Sequence, residues 1–321
     1  MGAGHVRHWR VMDDDVRLHP TGQFDNSAVP ARHIGVLPLA AAMGAEITGA
    51  ELNSVSDAQF AEIRQALFRH KMIFFRAQAL SHAALEAFSL RFGPFAVDAY
   101  TQGVAGHRNV HPLIKEAEDR SRMVFGEGWH TDSPFLPEPP AITILYAVQI
   151  PEFGGDTIWA NSALAYATLS ETYRRMIADL KVHFSLRDVL RSAQDAVQVS
   201  DSPIGQLAAT RGEQLSENLL RKIKGNFHPL VRTHPVTGEK ALYVDPSYGI
   251  GIQGMLEEEA APILKYLTDF LTQPVFGCRL RWEPNMLAVW DNRLCVHQAY
   301  NDYQGYRREL YRTTVRGEKP S

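Results

Sequence analysis

A chain of 321 residues that is 45% hydrophobic, 21% charged and 10% aromatic can bury a sizeable core, and it is too apolar for intrinsic disorder. Its formal net charge of −3 offers no basic footprint for nucleic acid or an anionic membrane. Two cysteines, Cys278 and Cys295, make neither a disulfide scaffold nor a cysteine zinc cluster. No apolar run approaches the roughly 20 residues of a membrane helix. The first arginines and histidines lead into Asp13-Asp14-Asp15 rather than an apolar segment, so a cytoplasmic protein is expected.

Residues 1–30 are polar and read as an N-terminal arm. Short strands are expected at 33–39 and 45–48, around a small-residue turn. Ser56 with Gln59 three residues on is a capping box. Behind it Phe60, Ile63 and Leu67 recur at helical spacing. Met72-Ile73-Phe74-Phe75 has the length of a buried strand, and a second helix carrying Leu85, Phe88 and Leu90 stops at Gly93-Pro94. From Ala141 onward the apolar runs are short and punctuated by turn residues: 142–148, 157–159, 241–244, 279–282, 287–290 and 309–315. Such spacing argues for a mainly β chain, a sandwich or barrel, with helices flanking it near 170–180 and 256–271. No repeat or linker divides it, so 31–321 reads as one domain. The polar stretch 188–226 is too long for a simple connection and is expected to be an inserted lid or a disordered loop.

Three places carry chemistry. In Trp129-His130-Thr131-Asp132 the imidazole and the carboxylate of an extended chain share one side and suit Fe(II), although one such pair is close to what chance supplies. Towards the C-terminus, Asp302-Tyr303-Gln304-Gly305 reads as a hairpin turn that sets His297 opposite Leu310, so that His297, Arg308 and Arg312 line one surface. A slip of one residue would undo this. Gly154-Gly155-Asp156-Thr157 is a turn that delivers a hydroxyl to the start of a strand. Together, two His and one carboxylate form the facial triad of non-haem Fe(II) oxygenases, and an arginine fork grips a dicarboxylate bidentately.

With these residues in place, the sequence resembles the TauD/TfdA family of Fe(II)- and 2-oxoglutarate-dependent dioxygenases. The resemblance runs from about Ile34 to Pro320 through His70-Lys71-Met72-Ile73-Phe74-Phe75, Arg91-Phe92-Gly93-Pro94, Trp129-His130-Thr131-Asp132-Ser133, Gly154-Gly155-Asp156-Thr157, His234-Pro235-Val236-Thr237-Gly238, Trp290-Asp291-Asn292 and Arg307-Arg308-Glu309. It implies a double-stranded β-helix (jelly-roll, cupin-like) core. It also implies His130, Asp132 and His297 as iron ligands, Thr157 and Arg308 on the distal carboxylate of 2-oxoglutarate, and O2 as oxidant. Arg312 matches an arginine near the cosubstrate's inner carboxylate that also contacts an anionic substrate.

The departures bear on the substrate. Asp98 stands where taurine-type members carry a sulfonate-binding histidine, and Gly126 replaces an asparagine, while a tyrosine persists as Tyr100. Tyr100, Phe135 and Tyr248 are the expected pocket walls. The reading is hydroxylation of a small organic acid with an apolar or aromatic body, whose anion lies near Arg312, releasing succinate and CO2. Taurine would be a poor substrate beside Asp98. An alkylsulfonate or sulfate ester is the alternative within the family, and a metal-free jelly-roll binding protein is the alternative outside it. Halogenation is disfavoured by Asp132. Expected partners are the small-molecule substrate and further copies of the chain, a homo-oligomer, with no nucleic acid and no membrane. Cys278, Cys295, His228 and His234 read as structural, and His5, His8, His19 and His33 as surface or arm residues.

Overall fold

A computed structural model describes residues 24–119, 126–195 and 217–321. Strands β1 (Gly35–Pro38) and β2 (Ala45–Thr48) pair antiparallel, as expected. In helix α1 (Asp57–His70) the Ser56 hydroxyl accepts from the Gln59 N–H, and the Gln59 side chain accepts from the Ser56 N–H, closing the capping box. Phe60, Ile63 and Leu67 form its buried face, and β3 (Met72–Phe75) is buried throughout. In α2 (His82–Leu90) Leu85 and Phe88 are buried, but Leu90 is 52% exposed. A helix turns through about 200° in two residues, which carries Leu90 off the stripe set by Phe88.

Beyond α2 come β4 (His111–Lys115), β5 (Ile142–Gln149), β6 (Thr157–Asn161), α3 (Ser162–Thr168) and α4 (Glu171–Ile177). Next are β7 (Lys181–Phe184), α5 (Arg187–Asp195), α6 (Glu217–Lys224), β8 (Asn226–Pro229) and β9 (Val231–Thr233). Strands β10 (Lys240–Leu242) and β11 (Gly249–Ile252) lead to α7 (Glu257–Leu271). The chain ends in β12 (Gly277–Leu280), β13 (Leu287–Asp291), β14 (Cys295–Ala299) and β15 (Arg308–Val315). The architecture is therefore strand-rich with helices.

One seven-stranded sheet runs in the order β1-β2-β3-β13-β5-β15-β4, and a three-stranded sheet runs β12-β6-β14. Smaller sheets are β11-β7-β8 and β10-β9. The period of two explains the wholly apolar runs. On β3, β5 and β13 the residues Phe74, Leu145, Ala288 and Trp290 pack with Trp159, Cys278 and Cys295 of the three-stranded sheet. Their neighbours Ile73, Ile144 and Val289 pack with Phe60, Leu67 and Phe88 of the helices. A strand buried on both faces loses the polar alternation of a half-exposed one. Cys278 and Cys295 are thus core residues, with burial pushing both thiols upward.

The expected hairpin between His297 and Arg308 does not form. Strand β14 pairs with β6, while β15 pairs with β5 and β4, so the chain crosses between sheets through 300–307. Leu310 stands opposite Ala147 and Leu113, not His297. A turn-rich segment says where a strand ends and not which sheet the next one joins.

The described end of the arm is docked on the domain. Asn26 is buried, its amide donating to Ala40 O and Gly44 O, and Phe24 stacks on Phe276. Residues 1–23, with His5, His8 and His19, lie outside the described residues. So does the middle of the insertion, 196–216, whose flanks are α5 and α6.

Candidate active site

His297 lies on β14 directly opposite Trp159, facing the gap between the two sheets. His130 reaches the same place by continuing that sheet: its N–H donates to His297 O (2.9 Å) and His297 N–H donates to His130 O (2.7 Å). Asp132 follows two residues on. The ligand-capable atoms of His130, Asp132 and His297 lie within 4.8 Å of one another, all buried. The sequence reading thus placed these three together correctly, although by a different strand pairing.

Two of the three are held by hydrogen-bond partners, whereas His297 Nδ1 is buried with none among the described residues. His130 Nδ1 faces Gly128 O at 2.7 Å. A carbonyl only accepts, so Nδ1 carries the proton and Nε2 keeps its lone pair. Nε2 is 3.9 Å from Asp132 Oδ1. The Thr143 hydroxyl of β5 donates to Asp132 Oδ2 (2.5 Å) and accepts from Asn292 Nδ2 (2.8 Å), and Asn292 Oδ1 accepts from Trp290 Nε1 (2.9 Å). Trp290-Asp291-Asn292 therefore ends, through Thr143, on the carboxylate. Asp291 itself is buried between Arg293 and His234, confirming His234 as structural. Thr131 N–H donates to Asp245 Oδ2 (2.7 Å), which fixes the backbone between the two ligands. Burial pushes Asp245 up to about 7 against three backbone N–H donors. Burial also pushes both imidazoles downward, so they are neutral at neutral pH, the form that binds metal. Asp132 is raised by burial but is held below the ordinary carboxylate value by Arg312 and the two histidines.

Arg308, Leu310 and Arg312 point from β15 into the intersheet gap, with Tyr311 on the other face. The two arginines differ sharply in what surrounds them. Among the described residues Arg308 has no carboxylate at ion-pair distance, and its Nε and Nη2 are buried without a hydrogen-bond partner. Burial alone pushes its pKa downward. Gly155 lies against it: at φ +67° a Cβ there would stand 3.1 Å from Arg308 Cδ and Nε. Two residues later Thr157 Oγ1 accepts from Trp282 Nε1 (2.9 Å), which leaves the hydroxyl proton for another acceptor. A buried guanidinium with orphaned donors fits a carboxylate ligand.

Arg312 is already compensated. Its Nη2 donates to Asp98 Oδ2 at 2.5 Å and its Nη1 lies 3.4 Å from Asp132 Oδ1. Asp98, raised by burial, is held at about 2 chiefly by Arg312. Asp98 and Arg312, read from the sequence as separate charges near the substrate, are thus paired with each other.

The three expected wall residues do come together. Tyr100 and Phe135 meet edge to face at 6.0 Å, as do Phe135 and Tyr248 at 5.3 Å, and Tyr100 OH donates to Tyr248 OH (2.7 Å). Tyr248 lies 6.4 Å from the His130 ring, between centroids. The C-terminal end of the insertion touches this wall. Lys222 of α6 donates to Ala99 O, and Asn226 Nδ2 donates to Phe135 O.

Residues 35–314 match the model of the taurine catabolism dioxygenase TauD, TfdA family. The chain belongs to the TauD/TfdA family. It is an Fe(II)- and 2-oxoglutarate-dependent dioxygenase, an oxidoreductase. It is 32% identical to an alpha-ketoglutarate-dependent sulfate ester dioxygenase of Pseudomonas putida, over 92% of this chain and 93% of that one. A (S)-phenoxypropionate/alpha-ketoglutarate-dioxygenase of Sphingobium herbicidovorans is 27% identical, covering 89% and 96%. A crystal structure of a taurine dioxygenase from Burkholderia xenovorans aligns with a TM-score of 0.73 at 34% identity, covering 90% of this chain and 91% of that one. No helix among the described residues is long and apolar enough to cross a membrane.

The sequence reading missed Thr143, Asn292 and Asp245 as supports. A threonine inside the apolar run 142–148 was the signal for the first. Asp245-Pro246-Ser247 looked like any turn.

Proposed function

We propose that this TauD/TfdA-family enzyme holds iron on His130, Asp132 and His297, between the facing sheets of a jelly-roll core. Arg308 and Thr157 then grip the distal carboxylate of 2-oxoglutarate. The observations that carry the reading are the buried Arg308 guanidinium, which has no carboxylate at ion-pair distance among the described residues, and the buried His-Asp-His trio. When bound, the iron supplies the oxidation: O2 gives one oxygen atom to the substrate C–H and one to 2-oxoglutarate, which leaves as succinate and CO2.

The chain's own residues do the rest. Gly128 fixes the His130 tautomer and Thr143 aims the Asp132 carboxylate. Tyr100, Phe135 and Tyr248 receive an apolar or aromatic body and keep water from it. Residues 31–321 act as one dioxygenase domain in which α5 and α6, the flanks of 188–226, cover that wall. The substrate is a small organic acid with such a body. The names of the relatives favour a second reading, a sulfate ester or sulfonate. The protein works as a homo-oligomer in the cytoplasm, with no nucleic acid or membrane as partner.

Anaerobic titration of the Fe(II)–2-oxoglutarate enzyme with arylalkanoic acids, alkyl sulfates and taurine tests the substrate reading through the metal-to-cosubstrate absorption band. Arylalkanoic acids are expected to perturb the band at the lowest concentration. A response to alkyl sulfates alone would select the second reading. Thr143→Val should weaken Fe(II) binding by about 10–100-fold, as loss of a ligand's supporting hydrogen bond does. Metal titration of the folded variant checks this, and unchanged affinity would remove Thr143 from the account.

A further inference from the structure

The Asp98–Arg312 pair is built to last. Asp98 Oδ2 takes Arg312, while Oδ1 accepts from Tyr100 N (2.8 Å), Thr101 N (2.8 Å) and Thr101 Oγ1 (3.1 Å). The side chains of Asp98 and Arg312 are 3% and 5% exposed. A turn that spends one oxygen on three donors cannot swing Asp98 away. An anion that drew Arg312 off it would strand a buried carboxylate, and such stranding is strongly unfavourable. Among the described residues Arg312 also leans on Asp132, so it meets two carboxylates. Lys222 is bonded to Ala99 O in the 98–101 turn and is pushed downward by burial, and His111 reaches the same turn through Thr101 Oγ1.

We propose that Asp98 is the residue that sets charge specificity in this pocket. By occupying Arg312 it keeps the anionic group of a substrate, as distinct from the cosubstrate, from binding next to the His-Asp-His trio. The substrate's acid group therefore lies at the outer end of the pocket, and its apolar or aromatic body approaches the reacting centre past Tyr100 and Tyr248. Asp98 acts through Arg312 and is a positioning residue. The proposal rests on the reading of His130, Asp132 and His297 as the oxidation centre.

Asp98→Asn is the discriminating variant. The amide keeps an oxygen for the Tyr100 and Thr101 donors but turns an N–H towards Arg312, which releases the guanidinium. Ethanesulfonate, a short anion without an apolar body, serves as the probe. Its binding to the anaerobic Fe(II)–2-oxoglutarate enzyme is measured by calorimetry, alongside kcat/KM for 3-phenylpropionate and for taurine. Wild-type enzyme is expected to show no saturable ethanesulfonate binding. In Asp98→Asn the affinity should rise at least tenfold, and the taurine to 3-phenylpropionate ratio of kcat/KM should rise by a similar factor.

Equal ethanesulfonate affinity in the two folded proteins, or a parallel fall for both substrates at a constant ratio, would overturn the proposal and leave Asp98 a purely structural residue. Asp98→Ser, which keeps a small acceptor in the turn, repeats the test if the asparagine variant does not fold. Gained ethanesulfonate binding with no turnover of 3-phenylpropionate by either protein would sustain the charge inference while removing the arylalkanoic substrate. Turnover of 3-phenylpropionate without gained binding would do the reverse.

Discussion

Asp132→Ala is expected to abolish substrate oxidation and succinate formation together, and to weaken Fe(II) binding well beyond the effect of Thr143→Val. Loss of an outer partner of a ligand costs about 10–100-fold in metal affinity, and loss of the ligand itself exceeds that. Asp132 is the sole carboxylate of the trio, and it also balances one edge of Arg312. Its removal leaves two neutral imidazoles, which cannot offset a divalent charge in a buried place. The metal-free variant should still melt cooperatively, because neither sheet depends on this side chain for its pairing. Hydroxylation at near wild-type rate in the alanine protein would show that another group carries the metal.

Arg308→Lys is expected to raise the KM for 2-oxoglutarate by about 10–100-fold, the effect of losing charge-assisted hydrogen bonds of about 1.5–3 kcal/mol. Lysine keeps the charge but presents it as a point, whereas a carboxylate is held by two parallel N–H donors. Gly155 packs against the guanidinium stem, so the ammonium also sits in a slot shaped for a wider group. Steady-state kinetics with 2-oxoglutarate varied checks this. An unchanged KM would mean that the buried, acid-free donors of Arg308 serve something other than the cosubstrate.

What the sequence made legible follows from range. The Ser56–Gln59 box, the buried stripe of α1 and the strand at Met72–Phe75 are local, and each has its expected bounds. His130 and Asp132 are two residues apart in extended chain, so their convergence needed no knowledge of the fold. His297 does come to His130 and Asp132, but not to Arg308 by the route expected. The hairpin that was to bring it to Arg308 is a crossing between sheets, and only the pairing of β14 with β6 shows how the gap closes. The pairing of Asp98 with Arg312 spans 214 positions, and neither residue's neighbours announce the other. Thr143 was invisible as a support because an apolar strand with one threonine looks like an apolar strand. Long-range partners of charged groups decide what a pocket binds, and those are what a linear reading lacks.

Coupling of 2-oxoglutarate consumption to product tests the central claim most directly. Desalted enzyme with Fe(II), ascorbate, O2 and a substrate that perturbs the absorption band is assayed with and without 2-oxoglutarate, quantifying succinate and oxidised product together. The account predicts no product without 2-oxoglutarate, and succinate and product in equal amounts with it. Product formed from O2 and ascorbate alone, in enzyme free of 2-oxoglutarate, would contradict it.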